Sequence, residues 1–120
     1  MCYTSGTTGK PKGVVYSHRS LVLHSMGTII PDCVGLSNVD TVLPVVPMFH
    51  ANAWGIPYSA ALVGAKQVLP HRYLDAPSLV ELLAAERVTV TCGVPTIWFG
   101  VLDYLDAHRG EHDLSAIRHM

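Results

Sequence analysis

Between Thr41 and Ala65 the chain carries no Lys, Arg, Asp or Glu. A charge-free run of that length could span a bilayer as one helix. Pro44, Pro47 and Pro57 interrupt it, and His50 and Asn52 sit in its middle, so a single continuous helix is excluded. The run must instead be buried within a folded domain. Its pattern predicts a strand over 41–46, a turn, and a helix from an Asn52 cap to about Val63. Pro44 inside the strand predicts an edge position or a bulge.

The same alternation continues on both sides. Val14, Val15 and Tyr16 predict a short strand. Ser17 caps a helix through Leu21, Val22, Met26 and Ile29 that Pro31 stops. Residues 32–40 read as loop, and Gln67–Leu69 as a short strand. Asp75 caps an amphipathic helix with Leu79, Leu82 and Leu83 facing inward and Glu81 and Glu86 outward. Val88–Cys92 is a strand of mostly β-branched residues. Pro95 opens a further helix with an inner face of Ile97, Trp98, Val101, Leu102 and Leu105, which Gly110 ends. Residues 113–120 begin another element. Strands alternating with helices predict an α/β fold with a largely parallel sheet and flanking helices.

Charge and cysteine content narrow the functional classes. Eight Lys and Arg face nine Asp and Glu, for a formal net charge of −1. That balance, with no basic stripe, predicts no nucleic-acid partner. Charged residues make up 14% of the 120, against about 25% in an average soluble domain. The chain is therefore short of solvating side chains, and a disordered tail is excluded. Cys2, Cys33 and Cys92 form no CxxC pair, which predicts reduced thiols and a cytoplasmic location. The first residues show no signal-peptide pattern.

The chemistry is concentrated in Thr4-Ser5-Gly6-Thr7-Thr8-Gly9-Lys10-Pro11-Lys12-Gly13. No aliphatic or aromatic side chain here serves a core. Glycines let the backbone turn and bring N–H groups close to a ligand. Thr4, Ser5, Thr7 and Thr8 add hydroxyl donors, and Lys12 adds a mobile positive charge. Together these suit a polyphosphate, which needs many donors at once. Lys10-Pro11-Lys12-Gly13 also fits a plain β-turn, which leaves the upstream hydroxyls and glycines unexplained. The GxxxxGK[ST] and GxGxxG spacings are not met.

Tyr3 to Val14 resembles the phosphate-loop signature of the AMP-forming adenylating enzymes: acyl-CoA synthetases, luciferases and peptide-synthetase adenylation domains. Ser17-His18 matches a pair that often follows. Pro47-Met48-Phe49-His50 resembles the second signature, and Val88 to Thr96 the next strand-to-helix segment. Ala51 to Tyr58, then Leu62 to Pro70, look most like bacterial medium- and long-chain fatty-acyl-CoA synthetases.

The resemblance implies a two-step ligase. A carboxylate attacks the α-phosphate of Mg-ATP, giving acyl-AMP and pyrophosphate, and CoA thiol then displaces AMP. It implies ATP, Mg2+ and CoA as cofactor and co-substrates, and a fatty acid as substrate. Thr4, Ser5, Gly6, Thr7, Thr8, Gly9 and Lys12 would hold the ATP phosphates, with Lys12 the main cation and Thr4 a magnesium neighbour. His50 would position the reacting carboxylate. Trp54 reads equally as a core aromatic or as a wall or gate of an acyl tunnel.

His108 and His112, with Glu111 beside them, have the i,i+4 spacing of a metal pair, but Gly110 interrupts the helix that spacing needs. His24, His71 and His119 read as surface or packing residues, and Lys66 as a strand-edge lysine. The family's Gly-Tyr-Gly-x-Thr-Glu and Thr-Gly-Asp segments are not among the 120 residues. The resemblance therefore implies that 1–120 is a partial AMP-binding domain, a slice of a larger N-terminal domain, with the C-terminal domain outside it. Such a slice is expected to be inactive alone and to self-associate. It is expected to have no transmembrane segment, with peripheral membrane contact left open. The alternatives are a free-standing phosphate- or nucleotide-binding module and a non-catalytic α/β scaffold.

Overall fold

A computed structural model describes residues 1–4 and 9–120, with only the backbone of Thr4. Its centre is a parallel sheet in the order β4-β3-β5. Strand β3 is Thr41–Val45, β4 is Lys66–Gln67 and β5 is Val90–Gly93. A separate antiparallel hairpin joins β1 (Cys2–Thr4) to β2 (Lys12–Val14), with Thr4 opposite Lys12. Val15 and Tyr16 lie beyond β2, so the strand expected over 14–16 begins two residues earlier, and β1 precedes it. Lys12 and Gly13 lie within that strand, so the tetrapeptide 10–13 is not the hairpin's turn.

Helices cover both faces of the parallel sheet, as parallel strands require. On one face α4 (Ala76–Ala85) and α5 (Pro95–Ala107) pack over Leu43, Val45 and Val88 through Leu79, Val80, Leu83 and Val101. On the other, following the short α2 turn (Ala51–Trp54), α3 (Ile56–Val63) brings Ile56 and Ala60 onto Val42 and Val90. Successive residues of β3 thus feed opposite cores, the strand's period of two. Helix α1 (His18–Ile29) lies against α3. The Ser17 and Asp75 side chains accept the backbone N–H groups of Ser20 and Ser78 at 3.0 Å, as N-caps do. Leu102 is exposed, unlike its helical neighbours Val101 and Leu105. Helix α5 ends at Ala107 with His108 as its cap, before Gly110.

Pro44 lies in the central strand, opposite Cys92 of β5, which corrects the edge expectation. The register explains it. The carbonyl of Val42 accepts from Val68 N–H on the β4 side, and Pro44, two residues on, faces the same side. Pairing with β4 has ended at Val42. The missing N–H of Pro44 therefore falls where the sheet is locally open.

The bases of β3 and β5 are tied by a buried carboxylate. Asp40 accepts from Ser37 N–H and Oγ, from Thr89 Oγ1 at 2.7 Å, and from Arg118 Nε and Nη2 at 2.9 and 2.7 Å. The Arg118 guanidinium, more than any other neighbour, holds the Asp40 carboxyl well below the usual carboxylate range. Arg118 also donates to Gly35 O. Alongside, the Arg118 and His119 N–H groups donate to Thr89 O and the Thr91 N–H donates to His119 O, which lays His119 parallel to β5. That is the element begun at 113–120.

Candidate active site

The second signature sits on a left-handed turn. Ala51, Asn52, Ala53 and Trp54 have φ of 48°, 53°, 51° and 55°. Asn52 therefore does not cap a right-handed helix, which starts only at Ile56. Gly55, itself at φ 73°, closes the turn with its N–H on the carbonyls of Ala51 and Asn52. Left-handed backbone costs roughly 1–2 kcal/mol per non-glycine residue. Four in succession persist only where the surroundings hold them, and such strain gathers at functional sites. The fully buried Ala53 anchors this turn. His50 precedes it in extended conformation, with its N–H on Pro47 O at 2.9 Å.

His24, a surface or packing residue by sequence, is the turn's brace. Its Nε2–H donates to the Trp54 carbonyl at 3.0 Å. A carbonyl only accepts, so Nε2 carries the proton. A Cβ on Gly55 would lie 2.6 Å from the imidazole. Gly55 thus meets two demands, the positive φ and the close approach of His24. The contact spans 30 residues, and no local pattern announces it.

Three clefts surround this turn. One of about 440 Å3 is lined by Tyr3 and Val14 of the hairpin together with Phe49, His50 and Ala51. The strands that carry the glycine- and hydroxyl-rich loop therefore share a cleft with the Phe-His pair. A second, of about 400 Å3, lies between Tyr16, Ser20 and His24 on one side and Asn52 and Trp54 on the other. The third, about 650 Å3, is largely apolar and runs from Trp54 to Val34, Ile56, Cys92, Gly93 and Trp98. His24 and Trp54 line both of the last two, so they stand at the boundary between them. Burial pushes the Cys92 thiol up to about 11, which keeps it protonated and unreactive.

The site residues expected from sequence divide as follows. Lys12 and Gly9 are exposed on the hairpin, His50 is exposed beside it, and Trp54 is partly exposed at the boundary of two clefts. Ser5, Gly6, Thr7, Thr8 and the side chain of Thr4 lie outside the described residues. Lys66 is on the edge strand, paired to Glu86 at 2.6 Å. The His108 and His112 rings flank Tyr104, and His108 Nδ1 donates to the Tyr104 carbonyl at 2.8 Å. Among the described residues no three His, Cys, Asp or Glu side chains converge on one point, and no helix is long and apolar enough to cross a membrane.

The three-stranded parallel sheet with helices on both faces makes this an α/β protein, with the hairpin set beside a strained turn at the C-terminal end of β3. Comparison with known proteins specifies it further. The whole chain, residues 1–120, matches the AMP-binding enzyme family, and the chain belongs to that family. It is 66% identical over 102 residues to a medium-chain-fatty-acid–CoA ligase of Ectopseudomonas oleovorans, covering 85% of this chain and 19% of that one. It is 59% identical over all 120 residues to a long-chain-fatty-acid–CoA ligase of Thermus thermophilus, of which it covers 22%. Among solved structures, a Mycobacterium tuberculosis fatty acyl CoA synthetase superposes with a TM-score of 0.79 at 28% identity, over 97% of this chain and 22% of that one. An o-succinylbenzoate CoA synthetase from Bacillus subtilis, in complex with ATP and magnesium, gives 0.77 at 25% identity, over 98% and 23%. The chain thus spans about a fifth of the length of the relatives it matches.

Proposed function

We propose that residues 1–120 form part of the adenylating domain of an AMP-forming fatty-acyl-CoA ligase. The observation that carries this reading is the shared cleft between the hairpin strands and Phe49-His50, within a chain that matches the family from end to end. Loop 4–9 and Lys12 hold the β- and γ-phosphates of ATP. Their many donors neutralise charge as pyrophosphate departs, which is where phosphoryl-type transfers gain most. His50 orients the attacking carboxylate rather than forming a bond to it. Trp54, braced through its carbonyl by His24, forms the wall between the reacting centre and an apolar acyl cleft.

Magnesium would accompany the triphosphate and help neutralise its charge. Of this segment, the Thr4 hydroxyl would be its neighbour. CoA acts in the second step as the thiol nucleophile. The protein works in the cytoplasm on small molecules, as a ligase of fatty acid metabolism.

The test is product analysis of the full-length protein with a fatty acid, Mg-ATP and CoA. The expected products are acyl-CoA, AMP and pyrophosphate in equal amounts. Formation of ADP and phosphate, or no acid-dependent ATP consumption, contradicts the reading.

A further inference from the structure

We propose that Trp98 sets the length of acyl chain the protein accepts, by filling part of the apolar cleft beyond Trp54. This rests on the fatty-acyl reading of the site. The cleft of about 650 Å3 opens from Trp54 and is walled by Val34, Ile56 and Cys92, with Gly93 and Trp98 on the β5–α5 side. An alkyl chain needs such an apolar, concave wall.

Two contacts hold the Trp98 indole in place. Its Nε1–H donates to the Gly93 carbonyl at 3.2 Å. Its six-membered ring lies directly on Gly93, where a Cβ would sit 2.8 Å from Cζ2. Gly93 has no positive φ to explain it, so the glycine serves the indole rather than the backbone. Trp98 also packs against the core that contains Leu79, Leu83 and Val101, and a packed core resists intrusion. The cleft is therefore the side toward which the indole can move.

These contacts give two substitutions of opposite sign. Trp98→Ala lengthens the cleft. Gly93→Ala drives the indole off the strand and across it. A pocket discriminates roughly 10-fold or more per methylene when its end is well defined.

The experiment measures kcat/KM of the full-length protein for hexanoate, octanoate, dodecanoate and palmitate, with fatty-acid binding followed separately by calorimetry. Trp98→Ala should raise the dodecanoate-to-hexanoate ratio about 10-fold, and Gly93→Ala should lower it. Trp98→Phe, which keeps an aromatic in the core, should shift the ratio in the same direction as alanine by less, and it carries the test if the alanine variant does not fold. A purely structural role scales all four acids equally, and equal scaling overturns the inference. A wild-type protein inactive on every acid instead contradicts the ligase reading itself.

Discussion

The two halves of the molecule are built on opposite terms. The β3–β5 sheet with α4 and α5 buries Leu43, Leu79, Val80, Leu83 and Val88 almost completely, and Asp40 ties the bases of its strands through Thr89 and Arg118. The hairpin and the turn after β3 keep large groups in solvent: Phe49 is 78% exposed, Tyr3 64% and Val15 73%. Four residues there hold left-handed backbone. The packed core lies in the first half, and the phosphate-loop and Phe49-His50 candidates lie in the second. Their junction is the end of β3, where a strand buried on both faces releases the chain into Pro47–His50.

The sharpest way to break this contrast is a cavity in the scaffold. Leu43→Ala should cost about 2–5 kcal/mol, read by denaturant unfolding, while per-molecule activity of the folded fraction stays close to normal. Next comes Asp40→Asn, which leaves Arg118 without its charged partner. The expected loss is about 2 kcal/mol, moderated because Arg118 is partly solvated.

The same carboxylate fixes a pH dependence. Its folded pKa lies below the unfolded value of about 3.9, so its contribution is complete above that pH. It is lost as pH falls below it. Asp40→Asn should flatten the acid limb of the stability profile, and an unchanged limb would assign acid sensitivity elsewhere.

On the site side the sign of the contrast reverses. Gly55→Ala meets both the positive φ and the His24 imidazole. It should cost roughly 1–2 kcal/mol in stability yet lower turnover more than that loss explains. Equal losses in both would make the turn merely structural. Smallest is Ser17→Ala, about 1 kcal/mol for a lost cap, with no change in substrate preference. The isolated 120-residue chain should self-associate through its exposed apolar surface, including Val22, Leu23 and Met26 on the outer side of α1. Sedimentation as a concentration-independent monomer would contradict this.

Much of the scaffold was legible in the sequence because its signals are local. Ser17 and Asp75 announce helix starts, and the branched residues of 88–92 announce a buried strand. Pro44 misled because its tolerance depends on where β4 ends, a fact of register between segments. Leu102 misled because an inner helical stripe is wider in pattern than in the packed structure. At the candidate site, the residues could be named from the motif but their arrangement could not. Ala51-Asn52-Ala53-Trp54 has no glycine to advertise left-handed backbone. His24 gains its role from a contact 30 residues away, and Gly93 from an indole on the next helix. The local signs of the turn were Gly55 and Asn52, a residue that tolerates left-handed backbone.

The central claim is that the hairpin loop with Lys12 holds the ATP phosphates while the turn at His50 presents a carboxylate to them. Fatty-acid-dependent exchange of labelled pyrophosphate into ATP, measured on the full-length protein and its Lys12→Ala variant, tests it most directly. The account predicts exchange that requires the fatty acid but not CoA, and that falls about 10²–10³-fold without the Lys12 charge. Exchange that survives Lys12→Ala at the wild-type rate, or that never appears with any fatty acid, would contradict it.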